Sequence, residues 1–247
     1  MADVPASPSD GQAGSANAEL RNTGLERQGD GPCRSTPATP VSVITGQDMA
    51  TKLAVVRHVL SNPPMAHATA LLPAAVAANV AHPHLVPIRD IAPIPATGCR
   101  CCALHGDLQR ALRGLLARAR RGDVMRVVMI STDQADPADI LTTIADDPVI
   151  ASVFHVDQII CVAAAAQDVA AFADNTPGWR QAALADRAVI LGQEQAGATA
   201  LSRRLAQINP AATLVRGLPE PDFFRARSRQ TRKTRPRFHA ETVAAAP

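Results

Sequence analysis

The chain predicts an α/β fold with a mostly parallel sheet covered by helices on both faces, and three observations predict it. Short runs rich in Val and Ile recur along the sequence, and helical stretches separate them in regular alternation, the pattern of parallel βαβ units. Apolar residues make up 47% of the 247 residues while aromatics make up only 2%, so Ala and Val fill the core, which suits helices packed closely on a sheet.

The elements follow in order from Pro40. Val41–Thr45 is a β-branched run that stops at Gly46, and Asp48–Leu60 reads as a helix. The stretch from His67 to Pro95 is less regular, with strands expected at Ala68–Leu72 and Val86–Ile91. A helix is expected over Asp107–Arg121. It carries Leu108, Leu112, Leu115, Leu116 and Ala119 on one stripe and Arg110, Arg113, Arg118 and Arg120 on its flanks, where arginines face solvent. Met125–Thr132 is the next apolar strand, and a helix over Ala138–Ala145 follows Pro137. The alternation continues with a strand at Gln158–Val162, a helix at Gly178–Ala185 and a strand at Ala188–Leu191. A helix at Ala198–Gln207 and a strand at Ala212–Arg216 complete it. Before and after this body the character changes. Residues 1–38, rich in Pro, Ser, Gly and Asp, have too little apolar surface to offset their ordering entropy and are expected to be disordered. Residues 39–218 form the folded domain, and 219–247 a basic, disordered tail.

Composition narrows the function classes. Net charge is +3, but Arg225–Arg237 alone holds six Arg and one Lys with no acid, so the remainder carries −4 (3 less 7). Those charges give at best salt-sensitive attachment to nucleic acid, and with no Tyr and one Trp there is no platform for stacking bases. Nucleic acid is therefore not the expected partner. The N-terminus lacks a basic start leading into an apolar run, and no stretch approaches the roughly 20 apolar residues of a membrane span. The expected setting is the cytoplasm, with reduced thiols.

The most informative string is GCRCC at Gly98–Cys102. Three of the five cysteines, Cys99, Cys101 and Cys102, crowd into four positions, and His105 follows within a turn. Thiolate and imidazole together suit a soft or borderline metal ion, with His105 closing a tetrahedron. A small buried apolar cluster is the competing reading, since free Cys packs as a small hydrophobe. His82 and His84 in HPH are a second possible nitrogen source, for which solvated loop histidines are the simpler reading. Cys33, in the N-terminal segment, reads as an incidental thiol.

GCRCC with GDLQRAL (106–112), VVMISTDQADPADIL (127–141), ADRAVIL (185–191) and NPAA (209–212) resembles the nucleotide-binding domain of the CobW-type metallochaperone GTPases, relatives of UreG and HypB. The likeness runs from about Pro40 to Gly217. It implies a P-loop NTPase-like, three-layer domain that binds GTP and Mg²⁺ and carries zinc or cobalt on the three thiolates. It further implies a role in zinc- or cobalamin-related trafficking, with a client metalloprotein or an intact paralogue as partner. A separate C-terminal domain usually follows in the family, and the tail leaves no counterpart for it.

The chain departs from that pattern at the nucleotide site. A working phosphate loop reads GxxxxGK followed by Ser or Thr, whose glycines admit the phosphates and whose hydroxyl ligates Mg²⁺. Here the string is GQDMATKL: Gly46 and Lys52 stand in place, but Thr51 replaces the second glycine and Leu53 the hydroxyl. Asp48 adds negative charge beside the phosphates. The family acid aligns with Ile130 and the family glycine with Asp133, which either replaces the lost carboxylate or caps the next turn. The guanine-reading run aligns with Leu191, Gly192, Gln193 and Glu194, without its Asn and Lys. The expectation is a degenerate nucleotide site at Gly46, Thr51, Lys52 and Asp133, with hydrolysis weak or lost. No catalytic residue is assigned. The alternatives are a GTPase with a variant loop, or a non-enzymatic module with a basic tail.

Overall fold

Every strand pairing in this computed structural model is parallel. The strands are β1 (Thr39–Thr45), β2 (Thr69–Pro73), β3 (Leu85–Ile88), β4 (Val127–Ile130), β5 (Phe154–Ala164), β6 (Arg187–Leu191) and β7 (Thr213–Arg216). They form one sheet in the order β3-β2-β4-β1-β5-β6-β7. The helices are α1 (Met49–Leu60), α2 (Ala74–Ala77), α3 (Arg100–Arg120), α4 (Pro137–Asp146), α5 (Pro148–Ala151), α6 (Pro177–Ala183) and α7 (Gly197–Ile208). The structure describes residues 38–88, 100–166, 169–192 and 197–224, with 100–105 described as helical backbone. The chain divides into two units, Met1–Ser35 and Thr36–Pro247, and everything described lies in the second. The disorder expected for 1–38 falls almost wholly outside the described residues, and so does that expected for 225–247; the start of the expected tail instead forms a 3-10 turn at Pro221–Phe224, with Phe223 and Phe224 buried in a core of the sheet.

Period-two alternation within the strands builds two cores, one on each face. Val41 and Val43 of β1, Val127 and Met129 of β4, and Ile159, Cys161 and Ala163 of β5 join one core with Leu108, Leu112, Leu115, Ile140 and Leu201 from α3, α4 and α7. Their neighbours Ile44, Val128, Ile130, Ile160 and Val162 point the other way and join Val55, Val56 and Val59 of α1. Both faces being covered is why these strands read as unbroken apolar runs. Each fully buried Val, Leu or Ile contributes roughly 1.5–3 kcal/mol.

Helix starts follow from cap chemistry. Asp136, Asp147 and Thr176 each precede a proline at the first helical position. Their side chains accept from Ala138 N, from Val149 N and Ile150 N, and from Trp179 N respectively. Asp147 also accepts from Arg113 at 2.8 Å, so one arginine of the flank taken for a solvated face ties α3 to α5.

The sheet is parallel, as expected, in every pairing among the described residues. One sequence expectation needs correction. The helix expected over Asp107–Arg121 starts earlier, with helical backbone from Arg100 onward through the Cys-rich stretch. Cys, Ala and Leu tolerate a helix, and a Cβ at Gly106 would meet nothing within 4 Å, so Gly106 costs the helix about 1 kcal/mol without breaking it. The strands expected from 68 and 86 are β2 and β3, and residues 89–91 of the second lie outside the described residues. None of the described helices is long and apolar enough to cross a membrane.

Candidate nucleotide site

The chain leaves β1 toward β2 on one side and later adds β5 on the other, so the carboxyl end of β1 is a topological switch point, where open α/β sheets place ligands. Gly46 stands there with φ +150°, and a Cβ on it would lie 2.2 Å from Val162 O. Only glycine fits between β1 and the backbone of β5. This requirement concerns packing and holds whether or not a phosphate binds.

Only Gly46, Gln47 and Asp48 separate strand from helix, because α1 already starts at Met49. Asp48 is the N-cap. Its carboxylate accepts from Thr51 N at 2.8 Å and, at closer range, from the Thr51 hydroxyl, while its carbonyl accepts from Lys52 N at 3.1 Å. The hydrogen bond from the Thr51 hydroxyl is the main cause that holds the Asp48 carboxyl below its usual 3.8, against burial, which would raise it. The helix N-terminus is where an anion would bind. Here the anion is the protein's own.

Lys52 lies in the first turn of α1, with its side chain 0% exposed. Its ammonium donates to Ser131 O at 2.8 Å and to Asp133 Oδ1 at 2.7 Å. Burial drives its pKa below the usual 10.5, and the Asp133 hydrogen bond and charge pull it partly back. Asp133 follows β4 and its side chain is 41% exposed, so the ion pair stands at the mouth of the site. Asp133 pairs with Lys52, and the cap of the following helix is Asp136. Leu53 is buried in the second core beside Val55 and Val56.

Two further participants, Gln47 and Gln181, carry no signal in the sequence. Gln47 Nε2 donates to Asp133 O at 2.7 Å and to Gln181 Oε1 at 2.8 Å; Gln181 Nε2 donates to Asp133 O at 2.9 Å and to Ala135 O at 3.0 Å. This network locks the loop after β1 to the loop after β4 through α6. Gly178 leaves room for it, since a Cβ there would be 2.4 Å from Ala171 O and 3.3 Å from Gln47 Cγ. Around the same strand ends the hydroxyls of Thr45 and Ser131 are buried without a hydrogen-bond partner. Cys161, on β5 behind Lys52, is pushed up to about 12 by burial and stays a neutral thiol.

Of the expected metal ligands, Cys99 lies outside the described residues. Cys101, Cys102 and His105 lie on the first turns of α3, with only their backbone described. Cys101 and His105 are four residues apart, one helical turn. Gln193 and Glu194 of the expected base-reading run lie outside the described residues. Among the described residues no three His, Cys, Asp or Glu side chains gather around one point.

Comparison with known proteins fits this geometry. A search of curated proteins gives no significant match. Among solved structures, Zn(II)-bound YjiA GTPase from E. coli is 23% identical with a TM-score of 0.52, over 72% of this chain and 57% of that one. A Zn(II)-bound triple mutant of YjiA GTPase is 24% identical with a TM-score of 0.53, over 74% of this chain and 59% of that one. At these identities the likeness is one of fold, and this chain spans less than two thirds of either neighbour. The model of the CobW/HypB/UreG nucleotide-binding domain matches residues 40–216, well over half of the sequence, and the chain belongs to that family.

Proposed function

We propose that this protein is a metal-holding member of its family whose nucleotide site has been closed by its own side chains. The observation that carries the reading is the state of Lys52, fully buried and already paired with Asp133, beside a helix N-terminus already capped by Asp48. A triphosphate would have to displace both carboxylates or lie against them. At about 4 Å and an effective dielectric near 20, each such like-charge pair costs about 4 kcal/mol. The Mg²⁺ hydroxyl is replaced by Leu53, a core residue, so the position that would ligate Mg²⁺ offers no oxygen to offset that repulsion.

The metal reading rests on the donor set. Cys99, Cys101 and Cys102 supply thiolates and His105 an imidazole, a set suited to zinc or cobalt. Helical spacing between Cys101 and His105 supports it, as does the family's solved neighbour, YjiA, which is Zn(II)-bound. The partner is then a client metalloprotein or an intact paralogue in zinc- or cobalamin-related trafficking, and metal is retained by affinity rather than by a nucleotide cycle. In a zinc titration under reducing conditions, the parent protein takes up one equivalent more than Cys99→Ser, and GTP with Mg²⁺ leaves its zinc affinity unchanged. Equal stoichiometry for the two proteins removes the thiolates as a site. A GTP-dependent change in zinc affinity restores the variant-loop GTPase.

A further inference from the structure

We infer that the outer edge of β7 is a self-association surface, on which a second copy of this chain adds its own β7 antiparallel, with the two-fold axis at Val215. Among the described residues β7 ends the sheet on one side and β3 ends it on the other. Thr213 N donates to Asp186 O at 3.0 Å, and Gly217 N donates to Ile190 O at 2.8 Å. A strand alternates with a period of two, so Thr213, Val215 and Gly217 turn their backbone groups toward β6. Leu214 and Arg216 turn theirs outward.

The two edges are finished differently. On β3, His84 O accepts from Ala70 N at 3.0 Å, so Val86 also faces β2 while Leu85 and Pro87 face out. Pro87 is exposed and has no N–H to donate, which blunts that edge against another strand. β7 contains no proline and offers the N–H and C=O of two residues. Apolar surface is left in water at the same place. Four large hydrophobic side chains are exposed among the described residues, and two of them, Leu214 at 36% and Leu218 at 48%, belong to β7 and the turn after it.

Self-complementarity selects the occupant. A two-fold through Val215 sets Leu214 against Arg216 of the second copy, and symmetry supplies the reciprocal pair. Both are hydrogen-bonded pairs, so every outward N–H and C=O of the two strands is used in four bonds, with Val215 against Val215 in the narrow pair between them. Leu214 and Arg216 share the face that bears α7, because their β6 partners Ala188 and Ile190 lie in the core with Leu201 and Leu205. Each leucine then lies against the aliphatic stem of an arginine. Centring the axis on Arg216 would set arginine against arginine. Centring it on Leu214 needs Ala212 N, which already donates to Asn209 O at 3.1 Å. A joint of one short strand buries less than about 1,200 Å², so the dimer is weak and forms with rising concentration.

Sedimentation velocity of the full chain from about 5 to about 500 µM tests this, with reductant and chelator present so that neither disulfides nor metal join the copies. Monomer gives way to dimer over that range. Leu214→Lys sets a lysine against Arg216 of the second copy and weakens the dimer by about tenfold. Leu214→Glu sets a carboxylate against the same arginine and keeps the dimer, which now loosens with added salt. Both variants alter one partly exposed side chain, so the thermal midpoint of the monomer stays near the parent value. A monomer throughout, a dimer indifferent to Leu214→Lys, or a dimer that lysine and glutamate abolish alike overturns the pairing. The metal and nucleotide readings of the proposed function make no demand on β7, so this inference stands or falls apart from them.

Discussion

At the scale of single residues, the Lys52–Asp133 pair is asymmetric, and the asymmetry has a measurable consequence. Lys52 is cut off from water while Asp133 is partly open to it. Asp133→Ala leaves a buried ammonium with only Ser131 O for company, and an unpaired buried charge costs about 3 kcal/mol. Lys52→Met leaves a carboxylate that water can solvate and a Ser131 carbonyl short of one donor, at about 1 kcal/mol. Urea unfolding of the two variants should therefore differ by about 2 kcal/mol, with Asp133→Ala the weaker protein. Equal losses would mean that the pair is screened and that Lys52 is not held in place by Asp133. The sign with pH follows from burial, which lowers the Lys52 pKa. The folded state bears the cost of the charged form at neutral pH and sheds it as pH rises from the lowered value toward 10.5, an alkaline gain that Lys52→Met lacks.

At the scale of elements, one residue, Asp48, starts α1, and on the proposed reading the same carboxylate takes the place of a bound phosphate. In a working loop the amides at a helix start would face phosphate; here the Asp48 carboxylate takes them. Asp48→Ala should cost about 1 kcal/mol at pH 7. Because the folded-state pKa of Asp48 is depressed, its contribution is complete above 3.8 and fades as pH falls below that value. Guanidinium unfolding at pH 7 and pH 3 should show the gap between parent and variant narrowing in acid, and an unchanged gap would rule out the charged cap. The start of α1 was legible because a cap residue precedes a helical stripe. The start of α3 was not: the apolar stripe was read only from Asp107, yet Arg100–Gly106 contains no proline and continues the periodicity of Leu108 and Leu112 backward. The short helices α2 and α5 leave too few residues for a period to be read.

At the scale of the whole molecule, the sheet could be foreseen because buried parallel strands are apolar throughout, whereas the switch point beside Gly46 follows only from the strand order. The polar lock could not, because Gln47 meets Gln181 across 134 residues of sequence and neither carries a local signal. The departures at Thr51 and Leu53 are visible residue by residue, but that Asp48 caps the start of α1 and Asp133 pairs with Lys52 emerges only when β1, β4 and α1 come together. The proposed closure predicts how the intact fold responds to nucleotide. A ligand stabilises by RT ln(1 + [L]/Kd), so 1 mM GTP with Mg²⁺ against a micromolar site adds about 4 kcal/mol. For a domain of this size that raises Tm by roughly 8–16 °C. A site with Kd above about 10 mM adds under about 0.1 kcal/mol and shifts Tm by less than about 1 °C. The expected outcome is the second, in the parent protein and equally in Asp133→Ala. Asp133→Ala lacks the paired carboxylate but keeps the Asp48 cap and Leu53. A shift of several degrees in Asp133→Ala alone would identify Asp133 as the single barrier. A shift in the parent would show that phosphate displaces both carboxylates and that the loop still works.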